Sequence, residues 1–193
     1  MRLPVILILA PAILLVACAK KEKAPAAFEL APAGWAEASG PFVDAKGATV
    51  GEAAFRSSAD GIMVRVTVTG LSPGWHAIHF HQVGDCSDRA AGFKLSGGHV
   101  NAAGVEHGLM NPKGSETGDL PNIYAGADGR ATAELFRAAV VLKPSEEAAA
   151  ALGPNPLLDT DGFAVVVHAA ADDHLTQPIG GAGAWGACAA IKG

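Results

Sequence analysis

Cysteine is scarce in this chain, with three residues in 193, at positions 18, 86 and 188. That supply excludes a four-thiolate structural metal site and an iron–sulfur cluster. Basic runs are also missing: Lys20-Lys21-Glu22-Lys23 is the only short cluster, and the formal net charge is −5, which argues against nucleic acid as a partner. Sustained helical periodicity is almost absent. What the chain does have is a composition that is half apolar, enough for a real core in one domain plus an additional segment.

The additional segment is at the start. MRLPVILILAPAILLVAC places Arg2 ahead of an apolar run to Val16, too short and too early for a transmembrane helix, and it reads as an export signal over residues 1–17. Leu15-Val16-Ala17-Cys18 resembles the lipobox of bacterial lipoproteins, in which cleavage precedes an acylated cysteine; the bland alternative is an ordinary signal peptide with Cys18 incidental. No aspartate follows Cys18, so the inner-membrane retention signal is missing and the expected location is the periplasmic side of the envelope, lipid-anchored at the outer membrane. Residues 18–38, rich in Ala, Pro and Lys, are expected to form a flexible tether. Losing residues 1–17 removes Arg2 and takes the net charge to −6. Export leaves Cys86 and Cys188 as a pair, and in an oxidising compartment they are expected to form a disulfide.

From about residue 39 the texture changes to short alternating segments between turns. TVGEAAFRSS (49–58) meets Ala59-Asp60-Gly61, a hairpin signal, and GIMVRVTVTGL (61–71) alternates Val64, Val66 and Val68 against Met63, Arg65 and Thr67. Ala127-Asp128-Gly129 opens RATAELFRAAVVL (130–142), and Asp159-Thr160-Asp161-Gly162 precedes FAVVVH (163–168). Such spacing predicts an all-β antiparallel sandwich or barrel over residues 39–193. One exception is SEEAAAALG (145–153), where Ser145 is expected to cap a turn or two of helix. Two stretches without strand texture, 83 to about 121 and 169 to about 187, are long enough to be functional loops.

Histidines gather around those loops. GWHAIHFHQVGDC (74–86) holds three of the chain's seven. Side chains alternate along a strand, so apolar Ile78 and Phe80 belong to the core and His79 and His81 share the opposite face, about 7 Å apart. Parity puts His76 on the core side, satisfied by a backbone partner. His99, His107 and Asp119 lie in the first long loop; His168 ends FAVVVH and is followed by Asp172 and Asp173. Imidazole with carboxylate, and no available thiolate, suits copper or zinc.

The ordered set GWHAIHFHQVGDC, GGHVN, HG, GDLPN, VVVHAAADD and AGAWGAC resembles the copper–zinc superoxide dismutase family from about residue 39 to the end. The resemblance implies a Greek-key β-barrel. It further implies copper held by His79, His81, His99 and His168, with His99 bridging to zinc held by His107 and Asp119. Asp172 matches the carboxylate that ties the two metal sides together, and Cys86–Cys188 matches the family disulfide. The implied activity is dismutation of superoxide to O₂ and hydrogen peroxide.

Two positions depart from the family pattern. Glu116 stands where the remaining zinc histidine belongs; either its carboxylate completes the zinc site or it faces solvent and leaves that site weak or empty. Trp185 stands where the family carries an arginine beside copper, and residues 169–187 contain no Lys or Arg. A neutral indole cannot attract an anion as a guanidinium does, so reduced electrostatic steering is expected. A non-catalytic copper-sequestering or copper-delivery protein on the same barrel is the alternative. Whether the protein is a monomer or a dimer is not legible in the sequence.

Overall fold

In the computed structural model, residues 36–58, 60–143 and 156–193 are described. Among them are nine strands: β1 (Ala36–Asp44), β2 (Thr49–Ser57), β3 (Gly61–Val68), β4 (Gly74–His76), β5 (Ile78–His81), β6 (Ile123–Ala125), β7 (Ala131–Ala138), β8 (Phe163–His168) and β9 (Trp185–Ile191). Helix among the described residues is confined to two three-residue 3₁₀ turns, Arg89–Ala91 and Lys94–Ser96. The expected signal segment, Cys18, most of the expected tether and the helix expected over 145–153 lie outside the described residues.

All pairings between strands are antiparallel, in the order β4-β6-β7-β3-β2-β1-β9-β8-β5. Only Ala77 separates β4 from β5 in the chain, so the two ends of the sheet meet and the sheet curls into a nearly closed barrel. The connections β3→β4 and β7→β8 pass over intervening strands, as a Greek key requires. Inside, Val64, Val66 and Val68 of β3 meet Phe42, Phe55, Ile78, Phe80, Val165 and Val167, all essentially inaccessible. Alternation along each strand accounts for this, because the intervening residues face outward. Arg65 on the outer face reaches Glu134 of β7 at 2.6 Å.

Three boundaries differ from the sequence expectation. Strand β1 starts at Ala36, because Ala36, Glu37 and Ala38 find partners in Ser57, Arg56 and Phe55. Strand β7 stops at Ala138, since Ala139 takes a φ of 58°, incompatible with a continuing ladder. Strand β9 begins at Trp185, where His168 offers it a partner.

Candidate metal centre

The first long loop, 82–122, returns along the free edge of β5. Phe80 N–H donates to Gly118 O (2.9 Å), Val100 N–H to Phe80 O (2.9 Å) and Gln82 N–H to Gly98 O (2.9 Å). This backbone pairing places His99 opposite His81 and Asp119 opposite His79. On the other side of β5, strand β8 pairs Val166 with His79 and Val167 with Ile78, which leaves His168 at the end of the same outer face. Six predicted residues, His79, His81, His99, His107, Asp119 and His168, are all buried here. Ligand-capable atoms of His79, His99, His107 and Asp119 lie within 4.8 Å of one another, as do those of His81, His99 and His168; His99 belongs to both groups.

Hydrogen bonding fixes which ring nitrogens are available. Asp172 accepts from His79 Nε2 at 2.9 Å and from His107 Nε2 at 3.2 Å. His79 spends a proton on that carboxylate, so a neutral ring there has a lone pair at Nδ1, whereas His107 has a carboxylate at both nitrogens, with Asp119 Oδ1 2.7 Å from Nδ1. His81 Nδ1 donates to Gly97 O at 2.8 Å, and His168 Nδ1 lies 3.5 Å from Gly183 O, leaving their Nε2 atoms as acceptors. His79 Nδ1 then faces His168 Nε2 at 3.1 Å, acceptor to acceptor. The Nε2 atoms of His81 and His99 are buried with no hydrogen-bond partner. Unmatched buried acceptors are costly, and those of His79, His81 and His168, gathered beside His99, form a set that a cation would satisfy. Distance alone would group His79 with His107 and Asp119, but its free nitrogen looks toward His168.

On the other side of His99, its Nδ1 is 2.7 Å from Glu116 Oε2 and 3.5 Å from Asp119 Oδ1, while His107 Nδ1 is 3.4 Å and 2.7 Å from the same two oxygens. In a tetrahedron with zinc bonds of about 2.0–2.1 Å, ligand atoms are roughly 3.3–3.4 Å apart; the 3.4 and 3.5 Å contacts match that spacing, and the two 2.7 Å contacts are hydrogen-bond distances that would open on binding an ion. Glu116 therefore does not face solvent; its side chain is 12% exposed. Asn101 Nδ2 donates to Glu116 Oε1 at 2.8 Å, and Arg137 of β7 grips the loop through Glu116 O at 2.7 Å and Thr117 O at 3.2 Å. Asp119 is held by the N–H groups of Gly108 and Glu116, each at 2.8 Å.

Electrostatics divides the rings. Burial lowers the pKa of His79, pushes that of His81 well below the ordinary imidazole range and takes His168 down to about 3. These rings stay neutral and offer lone pairs at ordinary pH. For His99 burial acts in the same direction, but Asp119 and Glu116 outweigh it and raise the ring to about 9. The carboxyl of Asp172 is held well below its usual range: burial opposes ionisation, yet His79, the His174 N–H and His107 prevail. Gly180, at φ 61°, gives that carboxylate its room, since a methyl group there would collide with Asp172 Oδ1.

His76 behaves as its strand parity predicts. It is buried, with Nδ1 2.7 Å from His168 O and Nε2 2.8 Å from Ser72 O, away from the cluster. Between Val167 and His168 the register of β9 jumps from Ala187 to Trp185, leaving Gly186 as a bulge. Trp185 thus lies edge-on to His81 with ring centroids 4.7 Å apart, and 6.2 Å from His168. The Cys86–Cys188 disulfide joins the first loop to β9 beneath this site. His174, which sequence reasoning passed over, lies 3.3 Å from Asp172 Oδ2. Its only sequence signal was position, directly after Asp172-Asp173.

The sequence profile of copper/zinc superoxide dismutase (SODC) matches residues 49–191. A superoxide dismutase [Cu-Zn] of Caulobacter vibrioides is 49% identical over 147 residues, 76% of this chain and 80% of that one. A second, from Aquifex aeolicus, is 34% identical over 148 residues, covering 76% and 81%. The crystal structure of a SOD-like protein from Bacillus subtilis superposes with a TM-score of 0.70 at 32% identity, covering 79% of this chain and 96% of that one. The chain belongs to the copper/zinc superoxide dismutase family.

Proposed function

We propose that the protein converts two superoxide anions and two protons into O₂ and hydrogen peroxide. The observation that carries this reading is the gathering of buried ring nitrogens at one place: His81, His99 and His168 offer ligand atoms within 4.8 Å of one another, and His79 Nδ1 stands 3.1 Å from His168 Nε2. These residues would hold copper, which when bound supplies one-electron acceptance from one superoxide and donation to the next. Zinc would be held by His99 Nδ1, His107 Nδ1, Asp119 and Glu116, two imidazoles and two carboxylates. Asp172 orients His79 and His107 from behind through their Nε2 protons.

His99 is the one ring facing both groups. Its Nδ1 is committed to the carboxylate side, so the proton it holds and returns is at Nε2. Trp185 forms an apolar wall beside His81 and supplies no charge to draw the anion in. Dismutation by the copper-loaded protein, compared with equimolar free copper and with His79→Ala, tests the proposal. Catalysis no faster than free copper would leave a copper-holding protein instead.

We further infer an exported, lipid-anchored protein, with Cys18 acylated and the barrel on the periplasmic face of the outer membrane. MRLPVILILAPAILLVAC supports this, and so does the Cys86–Cys188 bridge, a bond that persists outside the reducing cytoplasm. Fractionation of cells expressing Cys18→Ala checks it: the protein should leave the membrane fraction.

A further inference from the structure

Resting on the metal-site reading above, we propose that His174 is a positioning residue: with Asn122 it locks the Asp172 carboxylate so that His79 and His107 keep their Nδ1 atoms turned toward the metal side. The proton positions follow from the backbone. Asn122 Oδ1 accepts from Asp172 N–H at 2.9 Å, and its Nδ2 donates to Asp172 O at 2.8 Å, which fixes the orientation of the amide. Asn122 Nδ2 also lies 3.3 Å from His174 Nε2. That nitrogen must therefore accept, and a neutral His174 carries its proton on Nδ1. Nδ1 is shielded from solvent and makes no hydrogen bond; it stands 3.3 Å from Asp172 Oδ2, close to the carboxylate but off the line of a hydrogen bond.

Asp172 is then surrounded by donors. Oδ1 takes the His174 N–H at 2.6 Å and His107 Nε2 at 3.2 Å; Oδ2 takes His79 Nε2 at 2.9 Å and faces His174 Nδ1. A carboxylate held by two imidazoles alone could pivot about its Cβ–Cγ bond and turn either ring away. His174 donates its backbone N–H to Oδ1 and sets its ring, with Nδ1 3.3 Å away, against Oδ2, which closes that freedom. It also ties the two loops together, since Met110 N–H donates to His174 O at 3.2 Å. His174 adopts φ 62°, a conformation for which Asn and Gly are the natural substitutes, so side chain and backbone can be varied separately.

The test is zinc affinity of the metal-free protein, by competition with a chromogenic chelator, with exchange of the His79 and His107 ring protons followed by NMR in the loaded protein. His174→Gly keeps the backbone N–H and removes the ring; a loss of about tenfold or more in zinc affinity is expected, with faster exchange of both ring protons. His174→Asn returns a donor near the Nδ1 position and should restore both readouts. If His174→Gly does not fold, His174→Leu, similar in bulk and without a donor, carries the same expectation. Unchanged affinity in the donorless variant, or His174→Asn as weak as that variant, overturns the clamp. Wild-type protein that binds neither zinc nor copper sinks the metal-site reading and the clamp together, whereas tight wild-type binding beside an unimpaired donorless variant sinks the clamp alone.

Discussion

Trp185 and His81 meet edge to face, ring centroids 4.7 Å apart, because the bulge at Gly186 turns the indole over the histidine cluster. An aromatic wall at this point has one kinetic meaning: superoxide arrives without a local positive charge. The copper-loaded enzyme should show a rate that is flat in ionic strength or rises slightly with it. Trp185→Arg should raise the low-salt rate by about tenfold and make it fall as salt is added. Pulse radiolysis across a salt series decides this, and a steep fall for the wild type would refute it.

Glu116 gives a second prediction. Its Oε2 is 2.7 Å from His99 Nδ1 and 3.4 Å from His107 Nδ1, so its loss removes a donor from the zinc side only. Glu116→Ala should weaken zinc binding by at least about tenfold while copper binding is retained, and Glu116→His should bind zinc again. Chelator competition measures both. Zinc affinity unaffected by Glu116→Ala would show that the carboxylate is a bystander.

The pH dependence of metal loading follows from His99. Raised to about 9 against an unfolded value near 6.5, its proton stabilises the metal-free fold fully below pH 6.5, and that contribution fades as pH climbs through 9. Zinc or copper must displace that proton at pH 7 but not well above 9. Calorimetry in buffers of different ionisation enthalpy should therefore detect one more proton released per chain at pH 7 than at pH 10. Equal release at the two values would contradict it. His168, lowered to about 3, acts oppositely: the metal-free fold should lose stability as pH drops from 6.5 toward 3.

A fourth prediction concerns Cys86 and Cys188, 102 residues apart in sequence and both buried. Removing the bridge with Cys86→Ser and Cys188→Ser together should cost about 4–5 kcal/mol on the chain-entropy account. Urea unfolding of metal-free protein measures the difference. A change well under 1 kcal/mol would mean the bridge pins the loop without stabilising the barrel.

Much of this was legible from residue order alone. Alternation in Ile78-His79-Phe80-His81 separates core from cluster, and it also sends His76 inward, where Ser72 O and His168 O receive it. The direction of Glu116 was not legible, because it is set by Asn101 from 15 residues away and by Arg137 from another strand. Loops carry no period, so nothing in the sequence placed His174 against Asp172 and Asn122. The ends of β1, β7 and β9 were misread by a few residues for a related reason: a strand stops where its partner stops, and partners are distant in sequence.

The hydrocarbon interior lies on one side of β5 and β8, and the imidazoles lie on the other. Ile78, Phe80, Val165 and Val167 pack inward without help from any ion. The packing that shapes the barrel and the face that offers ligands are thereby carried by alternate residues of the same two strands, so either set can be substituted without replacing a side chain of the other.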